Sequence, residues 1–385
     1  MSRFEKIIIA ITGSSHLLVH AMMLSLPSLI PVIQKEYPVG LDIFGFVVTI
    51  SAFLFGLGAI PAGWLDRHIG GRNLLIIYQI GAGLSSFLIF SSSSFLSLVF
   101  GLSFLGLFCS IYHPTGLTII SQNLKNVSKG MGIHAMFGSL GSAIGPLLAV
   151  SIASLFSWRA AYLSFAMLNI LLASITILTI SKTALSAHLK IIPNRKSNKK
   201  ALLLYFITNS FLGMAYYGFT TFMPIHLSMS TTGFLPNLSE EFKAGLFPTI
   251  VFLSGIVGSF FGGKIGEKFD KRISFGVIIL VNIPILIVLG LATNMVLILS
   301  SILLGIVYFS NQPIGNTLVA DFSDNRNRGL IYGMGFFISF GIGAFAAGLS
   351  GIVAESIGVH AVFPFMGVLL FPALVFSWLM YKASN

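Results

Sequence analysis

Residues 105–116 read LGLFCSIYHPTG, and residues 304–315 read LGIVYFSNQPIG. Both stretches open with Leu-Gly and close with a polar residue, a proline, one further residue and a glycine, at an offset of 199 residues. Both also lie inside long apolar segments. A repeat at half the chain length within apolar segments predicts two related halves, an arrangement typical of membrane proteins with internal duplication.

The composition of the chain indicates a membrane protein. Of its 385 residues, 55% are hydrophobic and only 9% are charged, and the mean hydropathy is +0.94. A helix of about 20 apolar residues spans roughly 30 Å, the thickness of the hydrocarbon core of a bilayer. We predict an all-α membrane protein with twelve transmembrane helices in two pseudo-symmetric six-helix bundles. The predicted helices are 6–33, 41–64, 73–91, 95–122, 130–156, 159–181, 201–229, 243–264, 273–292, 295–322, 329–353 and 359–381.

A basic segment, 182–200, divides the two predicted bundles. It carries six Lys or Arg residues and no acidic residue. We therefore predict an N-terminal bundle over 1–181, a linker over 182–200 and a C-terminal bundle over 201–385. Neither the linker nor the short termini offer a signalling domain, which disfavours a non-transporting receptor.

The net charge of +11 is best explained by membrane topology. With both termini on one side of the membrane, that side carries 19 of the 22 Lys and Arg residues, and only Lys35, Arg159 and Lys243 lie opposite. The positive-inside rule then places both termini in the cytoplasm, in a multi-pass protein of the plasma (inner) membrane. The basic charge is accounted for without a nucleic-acid partner. The first apolar run is long enough to be a retained helix and not a cleaved signal peptide.

A loop motif and its echo resemble those of the major facilitator superfamily. Residues 63–72 read GWLDRHIGGR, and a related pattern recurs from Gly263 to Arg272. Asp66 is suited to cap the following helix or to pair with a basic group. The resemblance implies a conformational latch on the cytoplasmic side; a purely topological role for Asp66 stays open. The latch residues that it implies are Gly63, Asp66, Arg67, Arg72, Gly263, Glu267, Lys268 and Arg272.

The fifth predicted helix carries a stripe of small residues that ends at Pro146. Gly138, Gly141 and Gly145 lie on one face, and a proline frees a carbonyl that lipid cannot satisfy. This resembles the helix-5 pattern of superfamily antiporters, although Ala149 and the residue after it replace a glycine pair. We interpret Gly141, Gly145 and Pro146 as a hinge, and a packing face remains the alternative.

Histidines occupy the membrane centre, where no Asp or Glu is predicted. His16 and His20 lie four residues apart and therefore share a helix face. His113 follows on the fourth helix, and the repeat places Gln312, with Asn311 beside it, at the matching position of the tenth. Helices 1, 4, 7 and 10 line the cavity in the superfamily that the chain resembles, so we expect these side chains to converge. Polar groups in lipid are costly unless used or paired, and histidine titrates near neutral pH.

Three further residues of the seventh helix, Tyr216, Tyr217 and Asn209, are candidates for the same cavity. We expect His134 to bond to a neighbouring helix and His226 to lie at the membrane interface. No Asp, Glu or Cys accompanies the histidines at ligand spacing, so no metal site and no cofactor are predicted. Metal transport stays open as an alternative, because imidazole is a common ligand of transition metals.

Short motifs resemble the fosmidomycin-resistance branch of the superfamily. They are Ser15-His16-Leu17-Leu18 with Met22, Tyr112-His113-Pro114, and the helix-5 run that ends at Ala149. The resemblance implies proton-driven export of small, often anionic or amphipathic compounds. This chain departs from the branch at His20, where the branch tends to have an acidic residue.

The predicted function is therefore secondary active transport of a small organic solute by alternating access, with proton-coupled export. The alternative is an uptake carrier or facilitator for a metabolite, a transition metal or a metal chelate. If protonated histidines bind an anion, affinity should fall as pH rises through roughly 6.5. Without an activated nucleophile or a nucleotide-binding loop, we predict no enzyme and no ATP dependence. The expected partners are the solute, protons and lipid, and the protein is expected to act as a monomer.

Overall fold

The computed structural model describes residues 1–181, 197–323 and 328–384, so most of the predicted linker lies outside the described residues, as does the side chain of Arg67. Twelve helices of the described chain are long and apolar enough to cross a membrane. We number them α1 to α12. Their bounds are Arg3–Glu36 (α1), Leu41–Leu57 with Ala59–Ile69 (α2), Gly71–Phe90 (α3), Phe95–Cys109 with Tyr112–Asn123 (α4), Val127–Leu155 (α5), Trp158–Thr179 (α6), Lys199–Ser230 (α7), Glu240–Lys268 (α8), Lys271–Leu291 (α9), Asn294–Phe309 with Asn311–Phe322 (α10), Arg328–Phe336 with Phe337–Ile342 and Phe345–Ser356 (α11), and Val359–Ala361 with Val362–Ala383 (α12).

The predicted all-α fold of twelve membrane helices is confirmed, but α2, α4, α10 and α11 are interrupted where the hydropathy pattern predicts continuous helices. In α2, α4 and α10 the breaks fall three or four residues before Pro61, Pro114 and Pro313. A proline cannot donate to the carbonyl four residues earlier, and its ring clashes with that carbonyl. In α10 the carbonyl freed in this way belongs to Phe309, and the hydroxyl of Ser259 donates to it at 3.3 Å. Side-chain donors of this kind make proline breaks tolerable in lipid.

The two halves repeat each other in contacts as well as in sequence. The Ser51 hydroxyl of α2 donates to the Leu102 carbonyl of α4 at 2.8 Å. In the second half the Ser254 hydroxyl of α8 donates to the Ile302 carbonyl of α10 at 3.0 Å. Equivalent helix pairs are thus joined by equivalent hydrogen bonds, and each half has its own core of buried apolar side chains.

The position of α1 within the first half is set by buried polar contacts to α3. The Tyr78 hydroxyl donates to the Ser15 carbonyl at 3.0 Å, and the Gln79 amide donates to the Ser15 hydroxyl at 3.1 Å. Both α3 side chains are fully buried. Because Ser15 directly precedes His16, these bonds help to fix the rotation of α1 about its axis and so the direction of the His16 side chain.

The two halves meet closely on one side of the helix layer. We call this side the distal face, defined by Glu36 and Glu240, and the opposite side the terminal face, defined by Arg3 and Ala383. At the distal face Lys35 forms an ion pair with Glu241 of the second half. The Leu41 amide at the start of α2 donates to the Glu355 carboxylate of α11 at 2.8 Å. The distal ends of α2 and α11 pack along their length, whereas their terminal-face ends touch only briefly.

Candidate functional site

Four histidines and one tyrosine form a buried cluster at mid-span. The ring centroids of His16 and His20 lie 4.9 Å apart, and those of His113 lie 5.1 Å from His16 and 5.3 Å from His20. His134 of α5 stacks on His16 at 4.0 Å, and the Tyr112 ring lies 5.5 Å from that of His16. The structure therefore brings together the three histidines that the sequence analysis proposed, and adds two residues.

Hydrogen bonds determine which nitrogens of the cluster carry protons. His16 Nδ1 lies 2.8 Å from the His134 carbonyl oxygen, and because a carbonyl only accepts, Nδ1 of His16 is the donor. In neutral His16 the lone pair is then on Nε2, which faces His20 Nε2 at 3.1 Å. His20 therefore donates from Nε2. His113 Nε2 is buried and has no hydrogen-bond partner in the described part of the chain.

His134 is the main residue that sequence reasoning missed. We expected it to bond to a neighbouring helix, and it does, but its partners are cluster residues. Its Nε2 lies 2.6 Å from the Tyr112 hydroxyl, which itself donates to the Thr12 carbonyl. A signal was present, because His134 lies four residues before Gly138 and so shares the face of the glycine stripe.

The glycine stripe of α5 packs against the histidine-bearing part of α1. A Cβ atom at Gly138 would overlap the His16 imidazole, and one at Gly141 would overlap the Leu17 backbone. One turn further, a Cβ atom at Gly145 would overlap Ala21. Small residues of this kind let membrane helices approach closely. Two of the residues proposed as a hinge, Gly141 and Gly145, thus form part of the contact surface between α5 and α1.

A small cavity of about 40 Å³ lies beside the cluster and between the halves. His20 and Phe55 line it from the first half, and Tyr216, Tyr217 and Phe340 line it from the second. The His113 ring contacts a further ring of the second half, that of Phe336, at 4.7 Å. The cavity is therefore mainly apolar, with aliphatic and aromatic walls and the His20 imidazole among its polar groups.

Five of the eight proposed residues do not line this cavity. Two of them, His16 and His113, belong to the adjoining cluster. Gln312 is exposed and Asn311 is half-buried. The Asn209 amide instead lies 3.4 Å from the Gly335 carbonyl of α11. The repeat predicts that Gln312 and His113 occupy equivalent positions along their helices. It does not predict which side chains surround them, because the helices packed around each residue differ in sequence.

The proposed latch residues occupy both loops of the terminal face. Asp66 does not cap α3. The residue at the N-cap of α3 is Gly70, at φ +78°, and no side chain caps the helix. The buried Oδ1 of Asp66 has no hydrogen-bond partner among the described residues. Arg72 instead donates to the Ile177 carbonyl at 3.2 Å and so ties α3 to the end of α6.

In the second half Arg272 pairs with Asp270 at 2.6 Å and donates to the Ser384 carbonyl at 3.1 Å. This guanidinium lowers the pKa of Asp270. The remaining latch residues stand at the surface: Gly63, Glu267 and Lys268 are exposed, and Gly263 is half-buried with no atom within 4 Å of an added Cβ.

Replacing Tyr112 with phenylalanine should lower the free energy of unfolding by about 1–3 kcal/mol, because the buried His134 Nε2 loses its partner. Thermal unfolding of the purified variant checks this expectation. Tyr308→Phe is the matched control, since its hydroxyl makes one bond, to the Leu212 carbonyl at 2.6 Å, and its loss should cost about 1 kcal/mol. Equal losses in the two variants would contradict a special role for Tyr112.

Comparison with known proteins places the chain among membrane transporters. The family model described as Major Facilitator Superfamily matches residues 12–347 and 227–385. The "Uncharacterized MFS-type transporter YfnC" of Bacillus subtilis is 21% identical over 392 residues, covering 94% of this chain and 92% of that protein. The "Probable anion transporter 6, chloroplastic" of Arabidopsis thaliana is 27% identical over 125 residues, covering 31% of this chain and 24% of its own length.

Solved structures share the whole fold. A bacterial homologue of the human lysosomal transporter Spinster, in an inward-facing and occupied conformation, superposes with a TM-score of 0.79 at 17% identity, over 100% of this chain and 98% of that one. A POT family transporter in complex with 5-aminolevulinic acid superposes with a TM-score of 0.80 at 16% identity, over 100% and 97% of the two chains. At such identities the likeness concerns the fold alone.

Proposed function

Because this chain belongs to the major facilitator superfamily, it is a multi-pass membrane transporter, and we propose that it moves a small organic solute by alternating access. In this mechanism two bundles rock about a binding site near the bilayer midplane. We further propose that movement is export coupled to protons. The termini would face the cytoplasm, as the asymmetry of Lys and Arg residues favours.

One observation carries this proposal: a buried histidine cluster adjoins an apolar cavity between the two halves. The cavity takes side chains from both bundles, so a bound solute would contact His20 and Phe55 on one side and Tyr217 on the other. A rocking motion that separates these surfaces would release the solute. Apolar walls with a few polar groups suit an organic compound.

Protons are the proposed coupling ion because the His20 imidazole lines this cavity, and imidazole is the side chain that ordinarily titrates near neutral pH. The motif resemblance to the fosmidomycin-resistance branch supports export. The name of the Arabidopsis relative, a probable anion transporter, is compatible with an anionic solute. We propose His16, His20 and His113 as the solute- or proton-binding groups, with Tyr216 and Tyr217 as the facing wall. Asp66, Arg72 and Arg272 would belong to the conformational latch. The loops that carry them would change conformation when the terminal face opens or closes.

Proton-coupled transport should be visible in liposomes that contain the purified protein and a trapped pH-sensitive dye. We expect at least one compound of an organic-anion panel to cause proton movement across the membrane, and a proton ionophore to abolish its accumulation. Empty liposomes are the control. A compound that accumulates equally with and without the pH gradient would reject the proton coupling and leave the transporter assignment in place.

The Lys35–Glu241 ion pair would hold the distal face closed. Lys35→Ala should raise the population of the distal-open state only slightly, since an exposed ion pair contributes little. The readout is maleimide labelling of Val48→Cys, a cavity position, in a Cys109→Ala background with reagent added at the distal face. Lys264→Ala, a lysine near the terminal-face end of α8, is the control. Unchanged labelling in Lys35→Ala would show that this ion pair does not hold the distal face closed.

A further inference from the structure

Three imidazole nitrogens of the cluster lie close enough together to share one metal ion. One ring nitrogen each from His16, His20 and His113 falls within 4.8 Å of the other two. His16 Nε2 and His20 Nε2 are 3.1 Å apart. In a tetrahedral zinc site with Zn–N bonds of about 2.0–2.1 Å, neighbouring nitrogens are roughly 3.3 Å apart. The separation of the His16 and His20 nitrogens is therefore already close to that of two zinc ligands. Rotation of the His113 ring would bring its nitrogen closer to these two.

The orientation of His16 is that of a metal ligand. Its Nδ1 donates to the His134 carbonyl, which directs the Nε2 lone pair toward the other two histidines. Metal-bound histidines almost always donate their second ring nitrogen to a carbonyl, a carboxylate or water, because this bond fixes the tautomer and the ring plane. The stacked His134 ring and the close approach of Gly138 hold the His16 imidazole in this position.

His113 supplies a second, independent indication of a ligand. Its Nε2 is buried and has no hydrogen-bond partner among the described residues. A buried polar atom without a partner is costly, by roughly 1–3 kcal/mol. Its ring is packed between His16 and His20 on one side and Phe336 on the other. A metal ion at the centre of the three rings would satisfy this nitrogen.

We infer that His16, His20 and His113 form a binding site for a divalent transition-metal ion of the zinc class, with a fourth coordination position open to the apolar cavity. Three imidazoles suit zinc, cobalt, nickel and copper, whereas magnesium and calcium require oxygen ligands. His20 lines the cavity, so a donor atom of a compound held there can complete the tetrahedron.

The charge of the site favours metal as cargo over metal as a permanent part of the protein. Every acidic residue in the described chain lies in a loop or near a helix end, so no carboxylate offsets the two positive charges at membrane depth. Uncompensated charge there is expensive. An anionic donor at the fourth position would lower that cost, and release would follow when the donor leaves. This role as cargo rests on the proposed transport function, whereas metal binding itself does not.

Cobalt titration of the detergent-purified protein, without a polyhistidine tag and at pH 7.5, tests the site directly. We expect one Co²⁺ per chain, with the strong visible absorption bands of a tetrahedral site, and a shift of these bands on addition of azide. His113→Ala should weaken Co²⁺ binding at least 10- to 100-fold, the loss typical even of outer-shell partners. His226→Ala is the matched control, because His226 is buried outside the cluster and bonds to the Leu289 carbonyl.

Absence of tetrahedral bands in the wild-type protein, or identical bands in His113→Ala, would overturn the inference. Should His113→Ala not fold, His20→Gln serves instead, because His20 is half-buried and makes its side-chain bond only within the triad. Zn²⁺ should compete for bound Co²⁺, and failure to compete would also count against the site. If metal does not bind but organic anions still cause proton movement in liposomes, the proposed function stands and only this inference falls.

Discussion

Replacing Gly141 with leucine should prevent accumulation of correctly folded protein or lower its apparent melting temperature by a few degrees. A Cβ atom at this position would overlap the Leu17 backbone, which cannot move without displacing α1. Overpacking of this kind costs typically 1–3 kcal/mol, and more when the obstacle is backbone. It would also separate the His16 ring from α5, because Gly138 lies one turn away on the same face. Size-exclusion profiles and thermal unfolding in detergent measure the effect.

Gly132→Leu is the matched control for this prediction. It lies on the same helix, and no atom lies within 4 Å of a Cβ added there. We expect its stability to be unchanged or slightly raised, since glycine is a poor helix former by about 1 kcal/mol. Equal destabilisation of Gly132→Leu and Gly141→Leu would mean that α5 tolerates no leucine at either glycine position. The loss of stability could then not be attributed to the contact with α1.

Gly141→Ala separates the two interpretations of the glycine stripe. A packing surface predicts a loss of stability, because a single methyl group already overlaps the Leu17 backbone. A hinge predicts a stable protein with an altered transport rate, because alanine favours helix and resists bending. A variant with wild-type stability and reduced transport would support the hinge.

Removal of the His20 side chain should reduce transport on the order of 100-fold with little loss of folded protein. His20 lines the cavity and contacts both other histidines of the triad, so it is placed to touch the solute and the coupling ion. Loss of a central contact residue commonly costs 2 kcal/mol or more, and 2.8 kcal/mol corresponds to a 100-fold change. Initial rates in liposomes, normalised to folded protein, measure the effect.

His20 is a better test position than His16. His16 is buried, stacks on His134 and bonds to its carbonyl, so its replacement would also disturb the contact between α1 and α5. His20→Gln keeps a polar side chain without a titratable group, and His226→Ala controls for loss of a buried histidine elsewhere. Wild-type rates in both His20→Ala and His20→Gln would exclude the cluster from transport.

The sequence alone predicted the features that depend on local pattern. Apolar length predicts where helices cross a bilayer, and the repeat of 105–116 in 304–315 predicts two halves of six helices. The spacing of His16 and His20 places them on one helix face, because positions four apart are neighbours on any helix. These properties hold whatever the helices pack against, which is why they could be read before the fold was known.

Only the tertiary structure decided which helix faces meet. It brought His134 of α5 onto His16, excluded Gln312 from the cavity and made Gly141 a contact surface. In water, an apolar stripe marks the face that turns inward, but in lipid the surroundings are as apolar as the helix interior. Helix pairing there depends on close shape fit and a few polar bonds, which link residues far apart in the chain and leave little local pattern.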